Sequence, residues 1–367
     1  MADIYQIFKR IVNKHQLIRD GDLIIAGVSG GVDSVVLFDL LDRFQKEKTT
    51  DFELIAAHLN HMTREGASDR DQVLVEELCN ERSIRLETKK IDVRAISSKS
   101  EKSFEMVARE VRYQFFSNIS PRGIIATGHT KDDHIETILL RILQGTGLKG
   151  LEGISYKIDN VIHPLRFASK QQLYEYAQES QLDFNQDRTN FENSCQRNII
   201  RNQLLPIVKK EINPNYEAAI SRLSSIANEI DDFIESKAAK HLNQITYNKS
   251  SWFYSLDIDQ LSAFHPALIK QIILTVSNKL FPHSIINYKT FKQIIKQLSR
   301  ETEGQILELN SELATNFDRG RLFIYNKRVQ NWDKTVIKIN NSYETGSFMF
   351  ATHLVSKCWN NQDSQNV

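Results

Sequence analysis

Five polar sets in this 367-residue chain have the residue types and spacing for chemistry on charged substrates. The first is Ser29-Gly30-Gly31-Val32-Asp33-Ser34, between the apolar runs LIIAGV and VVLFDLL. A strand ending at Val28 and a helix beginning near Asp33 would make this loop an anion site, because the first turn of a helix presents unpaired N–H groups and a partial positive charge. Gly30 and Gly31 allow close backbone approach, and Ser29 and Ser34 add hydroxyl donors, so the fitting guest is a phosphate or pyrophosphate. The competing reading is a tight turn with Asp33 as N-cap. Spacing excludes two other nucleotide loops: no Lys stands where a Walker loop needs one, and Gly27, Gly30 and Gly31 do not match G-x-G-x-x-G.

The second set is His129, Asp133 and Glu136 in ATGHTKDDHIET. Asp133 and Glu136 are three apart at an expected helix start, so they share one face of its first turn. D-x-x-E there is also a capping pattern, since acids favour that end of the dipole. On the same sheet as the anion loop, the pair makes an acidic pocket for a primary amine. The third set, His58, Asn60 and His61, follows the run ELIAA; each alone reads equally as a polar loop residue or a satisfied core histidine. The fourth is the polar side of the amphipathic stretch 103–116, with Glu105, Arg109 and Arg112, where Glu105 and Arg109 are also spaced as an i,i+4 pair. Arg197 and Arg201, four apart on a helix ending near Pro206, form a basic face for a phosphate or a nucleic-acid backbone.

The elements that must position these residues alternate. Short apolar runs at 23–28, 53–57, 84–86 and 124–127 are separated by stretches with helical spacing, such as Phe104, Val107, Ala108, Val111 and Phe115, or Ile135, Ile138, Leu139, Ile142 and Leu143. This is the pattern of β-α-β units, and the expected fold class is α/β: a doubly wound, mostly parallel sheet. Ligands bind such sheets beyond the carboxyl ends of the strands, where the polar sets fall. After about residue 215 helical segments dominate (221–240, 266–280, 289–299), followed by strand-like QILELN and RLFIYN. The expected organisation is a catalytic domain over 1–215, a helical domain over 216–300 and a short β-containing element over 301–367.

Composition agrees with a globular protein: 25% charged and 41% hydrophobic residues, with a net charge of +1. Net charge is −1 over 1–215 and +2 over the rest, so any nucleic-acid surface must come from local clusters. The N-terminal segment is amphipathic and charged, without the apolar run of a signal peptide or membrane span, and a cytoplasmic location without membrane contact is expected. Cys79, Cys195 and Cys358 form no C-x-x-C pair, which argues against a disulfide framework, a zinc knuckle or an iron–sulfur site.

S-G-G-V-D-S after a first strand resembles the loop of the PP-loop ATP pyrophosphatases, which split ATP into AMP and pyrophosphate while adenylating a substrate oxygen. Further stretches extend the resemblance across roughly residues 20–225: AHLNHMTRE…SDRD, E-x-x-A-R-x-x-R-Y-x-F-F, GHTKDDHIETILLRILQGTGLKGL, HPL at 163–165 and DRTN…RNIIRNQLLP. In this order they look like the tRNA(Ile)-lysidine synthetases, which join lysine to C2 of the wobble cytidine in the CAU anticodon of tRNA(Ile). The resemblance implies ATP bound by Ser29, Gly30, Gly31, Val32, Asp33 and Ser34, with Asp33 holding ATP or its Mg²⁺. It implies L-lysine held by Asp133 and Glu136, and phosphate or cytosine steadied by Arg109 and His129. His58, Asn60, His61, Arg112, Arg197 and Arg201 would contact tRNA or phosphate. Among rivals, a tRNA thiolase would need paired cysteines, a glutamine-fed synthetase an extra domain with a nucleophilic Cys, and a non-catalytic tRNA-binding protein none of Asp33, Asp133 and Glu136.

Overall fold

The computed structural model describes residues 3–62, 67–185, 196–282, 284–298, 304, 306–329, 342–345 and 348–351. DRTN at 187–190, residues 63–65 of the HLNHMTRE block, Cys195 and Cys358 lie outside these residues. The chain forms two compact units, Met1–Ile230 and Asp231–Val367.

The first unit opens with α1 (Ile4–Lys14), then β1 (Asp22–Gly27), α2 (Val32–Lys46), β2 (Phe52–Asn60), α3 (Ala67–Arg82) and β3 (Arg85–Lys90). Next come α4 (Val93–Ser97), α5 (Phe104–Ile119), β4 (Ile124–Ala126), α6 (Lys131–Leu143), α7 (Leu148–Leu151), β5 (Lys157–Ile158), β6 (Val161–Ile162) and α8 (Lys170–Glu179). A helical run closes the unit: α9 (Gln196–Ile199), a π-helical turn Ile200–Leu204, α10 (Leu205–Ile207), a second π turn Val208–Ile212, and the start of α11 (Tyr216–Ile245).

The doubly wound sheet expected from the β-α-β alternation is present, in strand order β3-β2-β1-β4-β6-β5. All its pairings are parallel except β5–β6. Alternation along β1 explains the two cores. Ile24 and Ala26 face a cluster with Phe8 of α1, Val36 and Leu40 of α2 and Leu173 of α8, whereas Ile25 packs with Ala57, Ile125 and the α5 residues Phe115 and Phe116. Winding runs from β1 outward through β2 and β3, then returns to β4 on the other side of β1. The carboxyl ends of β1 and β4 therefore flank the topological switch point, where such sheets open a crevice.

The second unit holds the rest of α11, β7 (Thr246–Lys249), β8 (Phe253–Asp257), α12 (Ile258–Ser262), α13 (Pro266–Leu280) and α14 (Tyr288–Leu298). It ends with β9 (Ile306–Glu308), β10 (Leu313–Asp318), β11 (Arg321–Asn326), β12 (Ser342–Thr345) and β13 (Phe348–Ala351). An antiparallel sheet in the order β7-β8-β11-β10-β9 draws strands from both sides of α13 and α14. Leu256, Leu313, Leu322 and Ile324 of that sheet share a core with Ile272, Val276, Phe291 and Ile294 of the two helices. No helix among the described residues is long and apolar enough to cross a membrane.

Candidate active site

Beyond β1, the amide of Val28 still bonds to the Ala57 carbonyl (2.9 Å), and the chain then turns through Ser29–Gly31 into α2. Gly30 has φ +87°, and a Cβ there would also stand 3.3 Å from that of Asp71. Ser34 holds the turn: its Oγ donates to the Gly31 carbonyl (2.8 Å), accepts from the Ser29 amide (3.0 Å) and lies 3.1 Å from the Ser29 hydroxyl. The N-cap of α2 is Gly31, and no side chain caps this end. The capping alternative for Asp33 is thereby corrected: it occupies the second helical position, so its carboxylate does not cap the helix. The uncapped turn leaves amides with no carbonyl one turn back to bond, as an anion cradle requires.

Asp33 instead faces the neighbouring loop. Its Oδ1 is buried with no hydrogen-bond partner, and its Oδ2 lies 3.9 Å from Nζ of Lys170. Burial pushes the carboxyl up to about 6, with repulsion from Asp133 and Asp132 adding and Lys170 opposing. Gly128 makes this approach possible, since a Cβ there would stand 3.0 Å from the Asp33 carbonyl group.

Beyond β4, Thr130 caps α6 in a reciprocal box with Asp133: Asp133 Oδ2 accepts from the Thr130 amide and hydroxyl, both at 2.9 Å. The capping reading of Asp133 therefore holds on one oxygen, which leaves the other free of the cap. Its Oδ1 meets Nη2 of Arg201 at 3.2 Å and Nζ of Lys170 at 3.6 Å. Glu136, whose side chain is 1% exposed, takes Arg201 in a fork, Nε at 2.6 Å and Nη2 at 2.9 Å. Arg197 donates to Thr137 Oγ1 (3.0 Å), with its Nε 3.8 Å from Glu136. Burial raises the Asp133 carboxyl, but Lys170 and the Thr130 hydrogen bonds outweigh it and hold the group below its usual range. Burial raises Glu136, with Arg201 opposing.

His129 lies between these groups and β6: its Nδ1 is 2.8 Å from Thr127 Oγ1, and its ring meets that of His163 edge-on at 4.8 Å. Burial and the neighbouring His163 pull its pKa down to about 3, so it is neutral at physiological pH. Arg109 of α5 lies over the Tyr113 ring at 4.8 Å, and its charge reaches the His129–His163 pair. Burial and the charge of Arg109 weaken the proton affinity of Arg112, and burial, followed by the charge of Arg112, holds His61 near 4.

The β2 residues are more internal. His58 is buried, with Nδ1 2.8 Å from the Val28 carbonyl and Nε2 unpartnered. Asn60, also buried, bonds to Ser68, Asp69 and Gln72 through its amide nitrogen, and its oxygen accepts from the Met62 amide.

Comparison with known proteins places this geometry in a family. The PP-loop domain model named ATP_bind_3 matches residues 3–208. The chain is 31% identical over 325 residues to the tRNA(Ile)-lysidine synthase of Clostridioides difficile, covering 87% of this chain and 70% of that one. It is 31% identical to that of Clostridium tetani (90% and 72% covered) and 32% identical to that of Persephonella marina (92% and 75% covered). The chain belongs to the tRNA(Ile)-lysidine synthase family, built on a PP-loop domain.

In this family member the expected anion loop and the expected carboxylate pair lie at the ends of adjacent strands, and one side chain lies between them. That residue, Lys170, was missed by sequence reasoning. It is the first residue of α8, after the N-cap Ser169, and its amide donates to Asp132 Oδ2 at 2.8 Å. The available signal was electrostatic: a cation in the first turn opposes the helix dipole and needs acids nearby. His163 and Thr127, which hold His129, were also missed as partners; HPL entered only as a family motif. The loop thus presents uncapped helix amides, while the carboxylates beyond β4 are paired with Lys170 and Arg201 beside a neutral imidazole.

Proposed function

We infer that this family member uses ATP to join L-lysine to C2 of the wobble cytidine of tRNA(Ile), releasing pyrophosphate and AMP. The observation that carries this reading is the adjacency of an anion cradle after β1 and a carboxylate pair after β4. Ser29, Gly30, Gly31, Val32 and Ser34 would cradle the phosphates of ATP. Attack of the cytidine O2 on the α-phosphate then expels pyrophosphate onto the same amides. The ε-ammonium of lysine is drawn to Asp133 and Glu136; once deprotonated, the amine attacks C2 and AMP leaves with the O2 oxygen. His129, being neutral, serves as a hydrogen-bond partner for the cytosine rather than as a counter-charge. Arg109 and Arg112, with Arg197 and Arg201, supply positive charge for phosphate. His58, Asn60 and His61, at and just beyond the carboxyl end of β2, would add contacts to the tRNA or to phosphate.

The donor set suits Mg²⁺ arriving with the nucleotide. Asp33 offers a buried, unpartnered oxygen, and Mg²⁺ commonly joins one or two carboxylates to substrate phosphates, whose charge it neutralises. Binding of tRNA is assigned also to the second unit. Between Asp259 and Glu301 the chain carries five lysines, one arginine and no acid, and Lys289, Lys292 and Lys296 lie exposed along α14. Such a face tracks a phosphate backbone. The reading is tested by exchange of labelled pyrophosphate into ATP: exchange that requires tRNA(Ile) but not lysine supports it, and lysine-dependent exchange without tRNA refutes it.

A further inference from the structure

The carboxylates assigned to the substrate ammonium are already matched by cations of the chain itself. Asp33, Asp133 and Glu136 face Lys170, Arg197 and Arg201, while Asp132 is turned to the Lys170 amide. The contacts differ in quality. Arg201 is forked onto Glu136 at hydrogen-bonding distance, a planar geometry that resists exchange. Lys170 is shared: its Nζ stands 3.9 Å from Asp33 and 3.6 Å from Asp133, close enough to attract both and committed to neither. Its backbone is fixed to α6 through Asp132, and the amide of Lys131 bonds to the Ala168 carbonyl (2.8 Å), so any movement is left to the flexible four-carbon stem.

We propose that Lys170 is a positioning residue that couples the two substrates: its ammonium occupies the place of the substrate ammonium beside Asp133 until ATP draws it toward the phosphates. The proposal rests on the reading of Asp133 and Glu136 as the lysine site. A second ammonium entering the matched cluster meets an internal cation of the same chemistry and the same compact charge, so lysine binds weakly to the free enzyme. ATP brings several negative charges to the loop beside Asp33. Lys170 swings to them without leaving α8, Asp133 is released, and lysine binds. The Lys absent from the loop itself, where a Walker motif would carry it, is on this account delivered from the start of another helix. The consequence is an order of events: lysine is not held until a nucleotide is present.

The test is calorimetric titration of the full chain with L-lysine, with and without α,β-methylene ATP and Mg²⁺. Wild type should bind lysine about tenfold or more tightly with the analogue, within the usual range of coupling between sites. Lys170→Met should bind lysine more tightly than wild type when no nucleotide is present, lose most of that coupling, and bind the analogue more weakly. A merely structural role for Lys170 predicts the opposite, since a damaged site does not gain affinity. Lys170→Gln serves as a second variant removing the same charge with a polar end. Wild type that ligates lysine to tRNA yet binds it equally well with and without the analogue overturns the coupling alone, as do variants that keep the wild-type coupling. Wild type that transfers no lysine to tRNA under any condition overturns the reading beneath it and the proposal together.

Discussion

Replacing Asp33 by Asn should stabilise the catalytic unit at neutral pH while abolishing adenylation. Asp33 is held about two units above its ordinary value of 3.8, near 6, first by burial and then by Asp133 and Asp132, with Lys170 only partly compensating. Raised in the folded state, this carboxyl supports the fold fully below its unfolded pKa of about 4, and that support is lost as pH rises through about 6. Above that window the ionised group costs on the order of 3 kcal/mol as an upper bound. A quarter of the side chain is exposed (26%), so solvent screening and the lost attraction to Lys170 reduce the net gain from Asn to about 1–2 kcal/mol. In a unit of this size that is roughly 2–8 °C in melting temperature. The amide carries no charge at any pH, so the gap between variant and wild type should widen by about 1 kcal/mol from pH 5 to pH 8. Urea unfolding at several pH values reads the gap, and tRNA-dependent pyrophosphate release reads the activity. A variant less stable than wild type at pH 8, or a gap that does not change with pH, refutes the reasoning; undiminished pyrophosphate release refutes the role given to Asp33.

In wild type, pyrophosphate exchange should fall as pH drops through about 6, where Asp33 takes up a proton, with no further limb from His129, which is neutral throughout; a rate that is flat between pH 5 and 8 contradicts this. Glu136→Gln should weaken lysine binding by about 10- to 100-fold, the worth of a charge-assisted hydrogen bond, while changing ATP affinity little. Equal losses for both ligands would mark Glu136 as only the anchor of Arg201. Asn60→Ala should lower stability by about 1–2 kcal/mol in thermal or urea melts, since it removes the bonds of a buried side chain to the Met62 amide, Asp69 and Gln72; an unchanged melt would contradict that tie between β2 and α3. Reversing Lys289, Lys292 and Lys296 to Glu should weaken tRNA binding and flatten its dependence on salt without changing ATP binding, and filter binding at several salt concentrations that shows no change removes this face from the interface.

What was legible in the sequence followed from local chemistry. Asp33 and Ser34 were found because glycines behind an apolar run signal a strand-to-helix turn, and Asp133 with Glu136 because a spacing of three sets one helical face. The β1, β2 and β4 strands were visible as apolar runs because a parallel strand covered on both faces has few polar positions. In the second unit β8 and β10 escaped notice, since FYSLD and LATNFD lack clean alternation and become strands through pairing with β11, as in Leu256↔Leu322 and Phe317↔Leu322. Lys170 was hidden for a similar reason: its partners are 137 and 37 positions earlier in the chain, brought to it only by the side-by-side pairing of β1 and β4. Asn60 illustrates the converse, a polar residue in a family motif that ends β2 and bonds to Asp69 and Gln72 of the following helix α3.

The ligation itself is read by incubating the full chain with ATP, Mg²⁺, isotopically labelled L-lysine and tRNA(Ile), followed by mass analysis of the nucleosides. One lysyl group is expected on the wobble cytidine of tRNA(Ile), with AMP and pyrophosphate formed in equal amounts, and none on another tRNA that carries CAU. Label on no nucleoside, or on a position other than the wobble cytidine, contradicts it.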